Sequence, residues 1–322
     1  MSDCEQGGDT NSYIGLRVAS IFIILVGSGM GALFPVLAKK SSWLRVPDCV
    51  FDFAKYFGSG VIIATAFIHL LSPALGELGS PCLSPAWSEY PYALALAMLS
   101  LFSIFIVELV SFRWGTTKLS ALNVAHATEI IASEGGSGEA SLFGKTDPKP
   151  AAQTTVVDGN VLAQIVGLII LEFGLLLHSF LIGLTLAVSP AFKVLFIVIV
   201  FHQTFEGLGL GARLAQLKLS VRYRHVTIFA ALLFAISTPV GIAIGLGVRE
   251  TYNPRSATAS IVSGVMDSLS AGILLYTGLV ELLAHEFLFN KEMSEASDSK
   301  VAYAVICMLF GSVMMAFLGK WA

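Results

Sequence analysis

Eight long apolar runs divide the sequence, at roughly 14–38, 50–74, 91–112, 160–188, 191–212, 226–248, 259–285 and 301–319. A helix needs about 20 such residues to cross the hydrocarbon core of a bilayer, so each run is long enough. Lipid offers no hydrogen bonds, so a spanning segment must satisfy its own backbone, which leaves helices or a closed barrel. The period-two alternation of barrel strands is missing. Only 13% of the 322 residues are charged, against about 25% in a soluble chain. That supply is too small to solvate a globular or disordered chain, and a net charge of −3 attracts no nucleic acid. The expected fold is all-α, a polytopic membrane protein of eight transmembrane helices in a single domain over 1–322.

The basic residues set the orientation. If the N-terminus lies outside, five of the nineteen Lys and Arg (Arg17, Lys193, Arg249, Arg255 and Lys320) fall on the outer side, and fourteen fall inside. Positive residues collect on the cytoplasmic side, so both termini are expected to be extracytoplasmic. Discounting the long 113–160 segment leaves ten against five and the same orientation. That segment, with EGGSGEASLFGKTDPKP at 134–150, reads as a mobile cytoplasmic loop between spans three and four. Its single histidine, His126, is expected to be solvated. No basic region precedes the first run, which is therefore expected to double as the targeting signal. Four cysteines make no CxxC or metal-finger spacing. Unpaired thiols are the ordinary reading of such a set. Against it stand Cys4 and Cys82, which fall on the same outer side and are expected to be bridged.

Ionisable residues inside a membrane cost about 2.5–3.5 kcal/mol each at the helix centre, so each asks for a reason. Span four carries Glu172, His178 and Ser179; span five carries His202, Gln203 and Glu206. Only Ser189 and Pro190 separate the two spans, which makes them a tight antiparallel hairpin. At 1.5 Å per residue, His178 and His202 each lie about 15–18 Å from the turn, near the midplane. Glu206 follows His202 by four residues and shares its face. Two imidazoles and a carboxylate at one depth make a ligand set for a divalent transition metal. A hydrogen-bonded cluster that only fixes helix packing is the alternative. Gly183, Gly207, Gly209 and Gly211 are expected to let helices pack closely around it. Farther charges outline a path. His69 and Glu77 lie toward the outer end of span two, Asp267 at mid-depth in span seven, and Glu281 and His285 toward its inner mouth.

The pairing of His178-Ser179 and Gly183 with His202-Gln203-Thr204-Phe205-Glu206-Gly207 resembles the ZIP (Zrt/Irt-like protein) family of divalent metal transporters. The resemblance extends to GVIIATAFIHLL at 60–71, SPCLSPAW at 80–87, STPVGIAIG at 237–245 and SAGILLYTGLVELLAHEF at 270–287. It is closest to the fungal and plant zinc and iron uptake branch. The resemblance implies import of a divalent cation into the cytosol, with metal ligands at His178, His202 and Glu206. It places Ser179 and Gln203 in the ligand region and Glu281 on the inner exit. Two-metal members of the family carry carboxylates where this chain has Ile182, Gln203 and Thr238. Nothing here neutralises a second dication in low dielectric, so a single central site is expected.

The chain thus reads as a transporter, not an enzyme, with no cofactor. Its transported substrate is Zn2+, with Fe2+ and Mn2+ not separable on ligand chemistry. Its partners are the metal ions and the lipid bilayer, with a homodimer left open. The expected location is the plasma membrane, which no motif encodes. An intramembrane zinc hydrolase using the same His and Glu residues is the competing class, although HExxH is absent. A metal-sensing receptor is a third.

Overall fold

The computed structural model describes residues 13–41, 46–111, 113, 159–217, 224–249 and 256–321. Among them, eight helices are long and apolar enough to cross a membrane. We number them α1 (Ile14–Lys40), α2 (Asp48–Leu78), α3 (Tyr92–Ser111), α4 (Gly159–Val188), α5 (Phe192–Gln216), α6 (Arg224–Val248), α7 (Ala257–Leu288) and α8 (Asp298–Leu318). Each apolar run has become one helix, and the chain is an all-α, multi-pass membrane protein. The 113–160 segment lies almost wholly outside the described residues, and His126 and Cys4 with it. Cys82 is disulfide-bonded, whereas Cys49 and Cys307 are free thiols.

The helices pack as two groups. Helix α1 lies against α5 and α6, and α4 against α6; α2 lies against α8 and the first half of α7. Contacts of α2 with α5 and of α4 with α7 join the groups. Helix α3 leans on α7, where Ser100 Oγ donates to the Leu269 carbonyl at 2.8 Å. Outward faces are apolar at helical spacing. Phe22, Val26, Met30 and Phe34 on α1 are exposed, as are Ile306, Phe310, Val313 and Phe317 on α8. In water such stripes would be a liability, whereas in lipid they are the solvated surface. The inward core is Leu171 and Leu175 of α4, Leu210 and Leu214 of α5, Phe234 of α6 and Leu274 of α7, all buried.

Close helix crossings depend on missing side chains. Gly58 of α2 and Gly209 of α5 face each other so tightly that a Cβ on either would overlap the other's backbone. Gly183 of α4 likewise meets the Thr238 carbonyl of α6. In a bilayer, where apolar burial drives little association, such small-residue approaches hold helices together. Arg17 is fully buried at the opposite end of the α1 face. Its guanidinium donates to the Leu186, Ala187 and Ser189 carbonyls at 3.1, 2.8 and 2.8 Å. It thereby satisfies the carbonyls that the end of α4 leaves without intrahelical donors.

Among the described residues, two helices carry π-helical stretches, Thr65–Leu71 in α2 and Thr277–Leu288 in α7. In α2 the cause is visible: Pro73 has no N–H to donate, and the Ser72 N–H reaches five residues back to Phe67 O. The helix continues past this turn to Leu78 instead of ending near 74.

Candidate metal centre

The α4–α5 hairpin places three side chains together in the interior. His178 Nε2 and His202 Nε2 are 3.2 Å apart. Glu206 Oε1 lies 3.3 Å from His202 Nε2 and 3.9 Å from His178 Nε2. Exposures of 1%, 1% and 0% mean that no solvent shares these atoms. It is the one grouping of His, Cys, Asp or Glu with metal-ligand spacing among the described residues.

The separations suit a cation. Ligands about 2.0–2.1 Å from a tetrahedral ion stand about 3.3–3.4 Å from one another. Two of the three separations fall at that value or just below it, and the third is about half an ångström wider. The cluster is also chemically incomplete. Both Glu206 carboxylate oxygens and His178 Nδ1 are buried without a hydrogen-bond partner. Buried polar atoms are nearly always paired, and an orphan needs an explanation. A cation supplies one for the carboxylate: with the hydrogens of both imidazoles on Nδ1, the Nε2 lone pairs and the Glu206 oxygens are all acceptors facing one point.

The π turn of α2 closes one side. It presents Thr65 toward Glu206 and sets the His69 ring edge-on to His202, with centroids 4.7 Å apart. His69 Nε2 is 3.0 Å from the Met315 carbonyl of α8. A carbonyl only accepts, so Nε2 carries the hydrogen and points away from the centre. Sequence spacing puts His69 near the outer end of span two. The structure sets it against the centre, because α2 runs on to Leu78 and leaves His69 about 14 Å short of its end.

Ser179 and Gln203 follow the two histidines by one residue each. Gln203 Nε2 donates to Thr238 Oγ1 of α6, and Ser179 Oγ donates to Gln203 Oε1 at 3.5 Å. All three are fully buried. They make a neutral hydrogen-bonded bridge across α4, α5 and α6 beside the centre, with no carboxylate in it.

The remaining predicted residues stand apart. Glu77 at the end of α2 and Asp267 of α7 are within electrostatic reach of each other, where Gly264 packs on Leu78 and Glu77. Glu281 is half-buried against Gly167 of α4, while His285 is exposed beside Phe289. Around Glu281 lie groups that spacing gave no reason to single out: Glu108 of α3 and Arg213 of α5. Lys55 of α2 is ion-paired with Glu286 of α7, their side chains 14% and 13% exposed. The signal for these was weak, since charges near helix ends are ordinary interfacial residues.

Comparison with known proteins follows the same lines. The family profile described as ZIP Zinc transporter matches residues 14–319. Zinc-regulated transporter 1 of Saccharomyces cerevisiae is 40% identical over 98% of this chain and 90% of its own length. Zinc-regulated transporter 1 of Schizosaccharomyces pombe is 37% identical, covering 98% of this chain and 88% of its own. Zinc transporter 3 of Arabidopsis thaliana is 37% identical, covering 99% and 89%.

Proposed function

The chain belongs to the ZIP zinc transporter family, and from that premise we propose that it imports zinc into the cytosol through the His178–His202–Glu206 centre. It is a transport protein, like the relatives it matches, and not an enzyme. The observation that carries the ligand assignment is the orphaned buried carboxylate of Glu206, flanked by two imidazole nitrogens at ligand spacing. Glu206 supplies the one fixed negative charge at the centre, and His178 and His202 supply neutral donors that suit zinc. Iron(II) and manganese(II) accept the same ligands, so they are expected competitors. The excess of basic residues on the inner loops puts both termini outside, and import is the direction that the family resemblance implies. The plasma membrane is the site of action that suits an uptake protein, and a homodimer would leave the centre intact, since all three ligands come from one chain.

Zinc transport by purified protein in vesicles tests this reading. Uptake of radioactive zinc, slowed by excess iron(II) or manganese(II), is the expected result. Protein that is correctly inserted and moves no zinc would contradict it.

A further inference from the structure

We propose that Arg213 is the inner gate of the transport path, a fixed positive charge that holds the bound cation at the centre until the guanidinium is drawn aside. The inference rests on the transport reading above. Arg213 follows Glu206 by seven residues on α5, almost two full turns, so it shares Glu206's face about 10 Å farther toward the inner end. Between them lies the Gly58–Gly209 crossing, where α2 and α5 meet backbone to backbone. The Phe57 and Phe205 rings pack edge-to-face at 5.4 Å on the same two helices. A cation leaving the centre along α5 therefore meets a closed crossing and then a guanidinium.

The guanidinium is under-satisfied. It has five N–H donors, yet its one hydrogen bond among the described residues runs from Nη2 to Ser59 Oγ at 2.8 Å. Nε is buried without a partner. Glu281 and Glu286 of α7 are the acidic groups acting on it most strongly, but neither is within ion-pair distance among the described residues. Glu286 is instead held by Lys55. Arg213 thus bonds Ser59 on α2 and stands within electrostatic reach of the α7 carboxylates, which it does not engage. An arginine poised this way excludes cations from a narrow path, as charged constrictions do in channels. Movement of α7 relative to α2 would transfer it to the carboxylates and expose the exit, a two-state device of the kind transport requires.

The test uses full-length protein in vesicles with a trapped zinc indicator, and zinc bound per chain measured in detergent. The rise in repulsion as the dication moves from the centre, about 10 Å away, toward the guanidinium sets the expected size, after partial screening, at about tenfold or more. Arg213→Gln should raise the initial zinc flux by about that factor with bound zinc per chain unchanged. Arg213→Lys, which keeps the charge, should stay near wild type. Ser59→Ala, which frees the guanidinium without removing it, should speed flux a few-fold. Flux at or below wild type in Arg213→Gln, with zinc binding intact, overturns the gate alone. If Arg213→Gln loses bound zinc through misfolding, Ser59→Ala decides, and a flux no faster than wild type overturns the gate. Wild-type protein that moves no zinc overturns the transport reading and the gate together.

Discussion

Two polar clusters lie side by side on α4 and α5, and they are built on opposite principles. His178, His202 and Glu206 leave buried acceptor atoms without donors. One residue along each helix, Ser179 and Gln203 pair with each other and with Thr238, so donors meet acceptors. Burial is the same in both, so burial does not tell them apart. Hydrogen-bond completeness does. A satisfied neutral bridge fixes three helices and asks for nothing, whereas an incomplete charged cluster costs several kcal/mol unless a ligand completes it.

The largest effect should come from the incomplete cluster. Glu206→Ala removes its one negative charge, and a dication in a buried neutral site has nothing to offset its desolvation. Zinc uptake should fall by about a hundredfold or more, while surface labelling shows normal delivery to the membrane; His202→Ala should do the same. Uptake retained by a correctly inserted Glu206→Ala protein would erase the contrast between the clusters.

Converting the second cluster into the likeness of the first is the next largest change. Ile182→Glu with Gln203→Asp places two carboxylates at positions now neutral. Bound zinc should rise from about one toward two per chain, because added negative charge offsets repulsion between neighbouring dications. A count that stays at one would mean that the neutral bridge is not what limits occupancy.

His69 probes the border of the centre. Its ring supports His202 while its Nε2–H is committed to Met315, so His69→Ala should slow uptake about tenfold, the low end of the scale for a residue that orients a ligand, and leave bound zinc per chain unchanged. Loss of bound zinc would make His69 a ligand in its own right.

The smallest effect belongs to the bridge. Thr238→Val strands the Gln203 amide and should cost about 1–3 kcal/mol of stability, read as a lower melting temperature in detergent, with uptake within about twofold of wild type. A collapse in uptake without any loss of stability would show that the bridge takes part in transport.

Much of this was legible in the sequence because lipid imposes a simple rule on apolar length. The eight runs became eight helices, and the hairpin arithmetic brought His178 and His202 into contact, since only two residues separate the spans and depth can be counted from the turn. The place of His69 was not legible. Pro73, Gly76 and Glu77 look like the end of a span, yet the π turn lets α2 absorb the proline and continue. Hydropathy carries no information about such a change of hydrogen-bond register. The neighbours of Arg213 were hidden for a different reason. Ser59, Glu281 and Glu286 come from α2 and α7, far along the chain, and only tertiary packing sets them around α5.

Zinc bound per chain, measured on detergent-purified wild type and Glu206→Ala after a weak chelator has stripped surface sites, tests the central claim most directly. The orphaned cluster should hold one zinc per wild-type chain and none in the variant, with nothing at the neutral bridge in either. Two tightly held zinc ions in the wild type, or one retained in Glu206→Ala, would contradict the account and place the metal on ligands other than His178, His202 and Glu206.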